Sequence, residues 1–253
     1  MGLYQAEGIV LANRDLGEAD RIVRILCRGQ GKIEAVAKGA RRPRNRLVGL
    51  TLPFNVLRMS VYAGRSLDEL SQAEGIRSFQ SLREDLLALA YASYLTELTD
   101  EFLPEREPSE AVYDLLLRSL AGLEAGSDPE NLTRFFELAL LDLAGFRPAI
   151  KGCLACGRPP AQTEVAFSPL DGGYYCLSCL EAGRESIGIP GPAVLAMDRG
   201  LQGEETFLAG LTGRERRSIA RILASFIQAR LDRELRSYKF LTRILAETEA
   251  GTD

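Results

Sequence analysis

Among its 253 residues the chain has no histidine and no tryptophan. Without histidine the commonest general base is missing, so neither a Ser-His-Asp nor a Cys-His arrangement can be assembled. Zinc enzymes that hold their metal through imidazole are excluded on the same ground. So is a base deaminase, whose zinc chemistry needs an H-x-E motif. The glycine signatures of P-loop and dinucleotide-binding proteins are missing as well. No apolar run has the length needed to cross a bilayer as a helix, so no membrane association is expected. The opening residues MGLYQAEGIVLANRD lack a basic stretch followed by an apolar core, so no secretion signal is expected and a cytoplasmic location is the default.

What is present is unevenly placed. The net charge is −4, but residues 1–80 carry 13 Lys and Arg against 8 Asp and Glu, whereas residues 81–150 carry 5 against 14. A basic first third followed by an acidic middle points to two domains with different partners. The acidic stretch argues against nucleic acid along that surface. It suggests a protein-contact or packing face, on which Arg118 or Arg134 could give an anionic partner tail a local basic spot. The pair Asp100-Glu101 lies on a helical pattern and reads as solvated surface.

Five cysteines occur, an odd number that does not suggest a disulfide framework without a secretion signal. Four of them form two C-x-x-C pairs, Cys153 with Cys156 and Cys176 with Cys179. A C-x-x-C turn brings two thiolates to one side of a tight knuckle, and two facing knuckles make the tetrahedral sulfur site that zinc prefers. Gly157 follows the first pair, where a knuckle often needs positive φ. The segment between the pairs reads as a hairpin turning at Asp171-Gly172. Four thiolates close the coordination shell, so a single zinc here is expected to be structural. Two metal-free or redox-active cysteine pairs are the bland alternative, and an iron–sulfur cluster is another. Cys27, in the apolar run RIVRILC, reads as ordinary core.

Residues 3–77 read as about five short strands, which suit a small closed barrel better than an open sheet with exposed edges. An OB-like barrel is the best single reading, and an SH3-like barrel has the same periodicity. From Phe79 onward apolar residues recur at helical spacing. Ser81 with Glu84 suggests a capping box, Asp128-Pro129 a helix start, and Thr212 with Glu215 a second capping box. The third helical segment, LTRFFELALLDLAGF, is apolar on most of its circumference and is expected to be central.

The segment from Lys38 through Arg41, Arg42 and Arg44 to Arg46 places five positive charges in nine residues with no acid. Arg14, Arg21, Arg24, Arg28 and Lys32 lie in flanking strands and turns. Such a run on a barrel loop is an electrostatic footprint for phosphate; the competing reading is a solvated loop that binds nothing. Aromatics for base stacking are not interleaved with it. Tyr4, Phe54 and Tyr62 lie elsewhere in the barrel, where core is the expected role for each.

Several segments together resemble the bacterial RecO family of recombination mediators and DNA repair proteins. They are Gly8-Ile9-Val10-Leu11, the stretch from Arg14 to Val23, Gly31-Lys32-Ile33, the stretch from Val36 to Arg42, Leu52-Pro53-Phe54, Gly64-Arg65-Ser66-Leu67 and Leu82-Arg83-Glu84-Asp85-Leu86. The two cysteine pairs fall where zinc-bearing members carry theirs. The resemblance implies an α+β fold, with an OB-fold over residues 1–78 and a helical domain over 79–253 that carries a zinc insertion at 150–182. It implies binding of single- and double-stranded DNA, annealing of complementary strands, and contacts with RecR and the single-strand binding protein SSB, so that RecA can be loaded. No catalytic centre is implied. The family's basic loop falls on Lys38, Arg41, Arg42, Arg44 and Arg46, and Arg14 and Lys32 are expected to extend it. The alternative is a zinc-stabilised interaction adaptor that does not touch nucleic acid.

Overall fold

The computed structural model describes residues 2–160 and 163–250 and divides into two compact units, 1–127 with 235–253 and 128–234. The first unit begins with five strands, β1 (Leu3–Leu16), β2 (Asp20–Cys27), β3 (Gly31–Ala37), β4 (Val56–Tyr62) and β5 (Asp68–Arg77), with a short helix α1 (Leu47–Leu50) between β3 and β4. The strands close into a barrel in the order β1-β2-β3-β5-β4, with β4 returning to β1. This is the OB-like barrel expected from the sequence.

Closure depends on β1, whose 14 residues are long enough to pair with β2 along one stretch and with β4 along another. A register shift between Val10 and Ala12 marks where it bends. The last seam is a short parallel pairing of β3 with β5 at Ala35–Asp68 and Val36–Glu69. Alternating residues then fill the interior, among them Val10, Val23, Ile25, Ile33, Leu57 and Met59. Cys27 is fully buried with them, as expected. Phe54 is buried too, and Tyr4 packs at the core edge with its hydroxyl on Asp68 Oδ2 at 2.6 Å. Tyr62 departs from expectation at 44% exposed, because it shares the outward phase of β4 with Arg58 and Ser60.

Helices α2 (Ser81–Glu84), α3 (Leu86–Phe102) and α4 (Glu110–Glu124) follow, and the last helix of the chain, α8 (Arg236–Ala250), completes this unit. The expected Ser81–Glu84 box does not form. Ser81 Oγ instead donates to Glu124, and the long helix is capped by Asp85, whose Oδ1 accepts from Ala88 N at 2.7 Å. Helix α8 packs on α3, with the Tyr94 and Tyr238 rings 5.4 Å apart. The Glu97 carboxylate of α3 accepts from the first amides of α8, Ser237 N at 2.7 Å and Arg236 N at 3.3 Å. It thus satisfies donors that no turn of α8 can reach.

The second unit contains α5 (Pro129–Leu143), three strands β6 (Glu164–Ser168), β7 (Gly173–Tyr175) and β8 (Ile187–Pro190), and helices α6 (Gly191–Leu201) and α7 (Gly213–Gln228). Asp128 caps α5 through the amides of Glu130 and Asn131, and Thr212 and Glu215 form a reciprocal capping box on α7, both as expected. Phe136, Leu138, Leu140 and Leu141 of α5 are buried. Arg134 is buried beside them, 5% exposed, with Nη1 2.9 Å from Glu137 Oε2. A side chain so enclosed cannot receive a partner's tail, and that expectation is withdrawn for Arg134.

Candidate functional site

The described residues between 150 and 182 fold around the four paired cysteines. Cys153 and Cys156 form one knuckle, closed by Gly157 N donating to Cys153 O at 2.8 Å. Cys176 and Cys179 form the other, closed by Cys179 N donating to Cys176 O at 2.8 Å. Between them β6 and β7 make the expected hairpin, and Gly157 and Gly172 take the positive φ that each turn requires, +70° and +74°. The hairpin holds the knuckles together: Leu154 N donates to Tyr174 O at 2.9 Å, and the Tyr174 hydroxyl to Arg158 O at 2.7 Å.

The four Sγ atoms lie within 4.8 Å of one another, and those of Cys156 and Cys176 are 3.7 Å apart. Tetrahedral coordination at about 2.3 Å per bond puts sulfurs about 3.8 Å apart, so this donor set fits a metal ion. The electrostatics agree. Burial raises the pKa of the Cys153 thiol, but the backbone amides of Cys156, Cys176 and Ala155 outweigh it and bring the group to about 6. Cys179 is pushed up to about 12 by hydrogen bonding to the sulfurs of Cys176 and Cys156 and by their charge. Four adjacent thiolates repel one another, and a cation at their centre removes that repulsion. Cys153 is buried, whereas Cys156, Cys176 and Cys179 reach solvent.

The basic loop is a run of hydrogen-bonded turns. Arg41 N donates to Ala19 O, Arg42 N to Gly39 O, and Asn45 N to Arg42 O, each at 2.9 Å. The Asn45 side chain ties Lys38 O to Leu47 N across the loop. This backbone fixes the arginines relative to one another. Lys38 pairs with Glu69 at 2.8 Å, and Arg41 reaches Asp15 at 3.3 Å and Gly17 O at 2.7 Å. Arg42, Arg44 and Arg46 are exposed and make no ion pair among the described residues.

The flanking cations have other occupations. Lys32, 8% exposed, faces Asp100 Oδ1 at 3.1 Å. Arg24 bridges Glu34 and Asp100. Burial acts to lower its pKa, and hydrogen bonds to Glu34 and Asp100 more than compensate. Arg28 pairs with Asp114 at 2.5 Å and lies over the Tyr113 ring. Arg21 donates to Val48 O and Thr51 Oγ1. Arg14 extends furthest into solvent of this group, with Glu34 3.7 Å away. Asp100 is therefore not solvated surface. It is 6% exposed and joins α3 to the barrel through two cations.

Comparison with known proteins agrees with this arrangement. Residues 1–79 match the family Recombination protein O N terminal, and residues 83–239 match Recombination protein O C terminal. The chain belongs to the recombination protein O family. A DNA repair protein RecO from Symbiobacterium thermophilum is 45% identical over 246 residues, covering 95% of this chain and 97% of that protein. Another from Pelotomaculum thermopropionicum is 37% identical over 255 residues, covering 100% and 98%, and one from Desulforamulus reducens is 32% identical over 246 residues, covering 96% of each. For a RecO family member, a barrel with an outward basic loop and a separate four-cysteine knuckle are the features with chemistry to offer. No helix among the described residues is long and apolar enough to cross a membrane.

Proposed function

We propose that this chain is a DNA-binding recombination mediator whose barrel grips the phosphate backbone through the loop from Lys38 to Arg46. The observation that carries the reading is the loop itself. Three arginines without acidic partners are held at fixed spacing on hydrogen-bonded turns, and their planar forks suit phosphate oxygens. Arg42, Arg44 and Arg46 are the main grip. Lys38 and Arg41 contribute by exchanging the exposed carboxylates of Glu69 and Asp15 for phosphate, Arg14 by turning its exposed side chain from Glu34, which keeps Arg24, and Lys32, buried against Asp100, through the fold. Residues 1–78 are the DNA-binding domain, and 79–253 form the helical part with its metal insertion at 150–182.

In this reading the protein binds single- and double-stranded DNA, anneals complementary strands and, with RecR and SSB, helps load RecA in the cytoplasm. It does so by binding and positioning, without a catalytic centre. The metal is one structural zinc held by Cys153, Cys156, Cys176 and Cys179. The small, closed, all-sulfur site favours a single ion over a cluster.

The test is anisotropy of labelled single- and double-stranded oligonucleotides across a salt series. The parent is expected to bind with affinity falling steeply as salt rises. Replacing Arg42, Arg44 and Arg46 together by Ala should make the log–log slope on single strands shallower by roughly 2, at ~0.7 per phosphate. A parent that binds neither duplex nor single strand would sink the mediator reading and leave the adaptor. A variant with the parent's slope would move the grip away from the loop.

A further inference from the structure

The second unit carries its own row of arginines, which the function described so far does not use. Arg214, Arg217 and Arg221 of α7 are all exposed. Their spacing of three and four residues keeps them within about 60° of one another around the helix, spread over about 10 Å of its length. The opposite face buries Ile219, Ile222, Leu223, Phe226 and Ile227, so the row is held outward by the core. Continuing along the same face come Ser218, Ser225 and Gln228, and no acid.

The nearby groups are few. Arg214 Nη2 lies 3.1 Å from Glu164 Oε2, an exposed carboxylate at the start of β6. Arg221 Nη2 donates to Gly188 O at 3.2 Å. Arg217 makes no ion pair among the described residues. On the flank of the helix Arg216 is taken by Asp128 and Glu130, at 3.7 and 3.6 Å, so those acids do not neutralise the row.

We propose that this outward face of α7 is a second nucleic-acid grip, holding the sugar-phosphate backbone of a strand other than the one on the barrel loop. The proposal rests on the DNA-binding reading above and adds a site to it. A protein partner would need apolar anchors in the centre of its footprint, and this face offers only guanidinium, hydroxyl and amide groups. A polyanionic backbone needs nothing more than these. Exposed guanidiniums at fixed spacing bind it without regard to sequence, which is what pairing two complementary strands requires. Glu164 acts as a weak competitor that the incoming phosphate displaces.

The experiment uses the full chain with its metal. An immobilised poly(dT) oligonucleotide is loaded with protein, and capture of a second, fluorescent poly(dT) strand is measured, alongside the annealing rate of complementary strands. The triple variant Arg214→Ala, Arg217→Ala, Arg221→Ala should hold the first strand within about three-fold of the parent. It should lose at least ten-fold in second-strand capture and anneal correspondingly slowly. An unchanged melting curve is expected, because the buried face of α7 is untouched. Glu164→Gln, which removes the competitor and keeps the shape, should capture the second strand two- to three-fold more tightly. Capture by the triple variant equal to the parent's, or weakened capture by Glu164→Gln, overturns the proposal. Capture lost on changing the loop arginines but kept in the triple variant assigns bridging to a second copy of the chain and overturns it as well. A parent that holds no first strand reports instead on the DNA-binding reading.

Discussion

Replacing Asp100 by Ala should cost the first unit about 3–5 kcal/mol, the usual penalty for removing one member of a buried ion group. The side chain sits between Lys32 Nζ and the Arg24 guanidinium, and the backbone carbonyl of the same residue accepts from Lys32 as well. Without the carboxylate, Arg24 retains Glu34, but Lys32 keeps only a carbonyl to balance a buried ammonium. The melting temperature should fall by roughly 10 °C, at the 2–4 °C per kcal/mol typical of chains this long. Asp100→Asn keeps the shape and removes the charge, so it should be destabilised almost as much. Adding Lys32→Met to Asp100→Ala removes the stranded ammonium and should recover part of the loss. A double variant no more stable than the single one would show that packing around α3, not charge, sets the cost. Thermal denaturation of the three variants decides this.

The second large effect concerns the cysteines. If the proposed zinc is bound, Cys153→Ser should lower it from one ion per chain to well below that, and should lower the melting temperature by 10 °C or more. The knuckles expose Leu154 and Leu177, so in the proposed zinc-bound state metal binding would supply their folding energy, roughly 10–16 kcal/mol in isolated zinc modules. Verified removal of the metal by a strong chelator should reproduce the shift. Cys156→Ser should be milder, because Cys156 is solvent-exposed and Cys153 is buried under three amide donors. Metal analysis by mass spectrometry alongside calorimetry separates the two contributions. A melting curve unchanged after complete metal removal would refute a stabilising role.

These sites were legible in the sequence to different degrees, for physical reasons. The barrel could be read because strands that bury one face alternate with period two, as β4 and the second half of β3 do, and because β2 is a short, nearly continuous apolar run. The knuckles could be read because ligand spacing is set by local turn geometry, and Gly157 and Gly172 mark where the turns need them. The fate of the flanking cations could not. Arg24 and Asp100 are 76 residues apart, and no periodicity records that one will close on the other. Asp100 looked like surface because an acidic residue on a helix usually is. The capping box at Ser81 failed for a related reason: Asp85, four residues further on, offered the longer helix a better start. The arginine row on α7 had a signal that went unused, since its spacing of three and four residues on a helix with an apolar opposite face marks an outward stripe.

The chain leaves the first unit at Ser127 and rejoins it only at Leu235, with α8 docked on α3 and its first amides bound by Glu97. During synthesis, therefore, the barrel and α3 emerge first, but α3 waits for α8 to be made. Until then Tyr94 lacks the ring of Tyr238 and Glu97 lacks its amides. The second unit, whose residues are contiguous, faces no such delay and can form as soon as its own segment is free of the ribosome. A nascent chain stopped short of α8 would thus carry a completed second unit and an unfinished first one, the reverse of the order in which they are encoded.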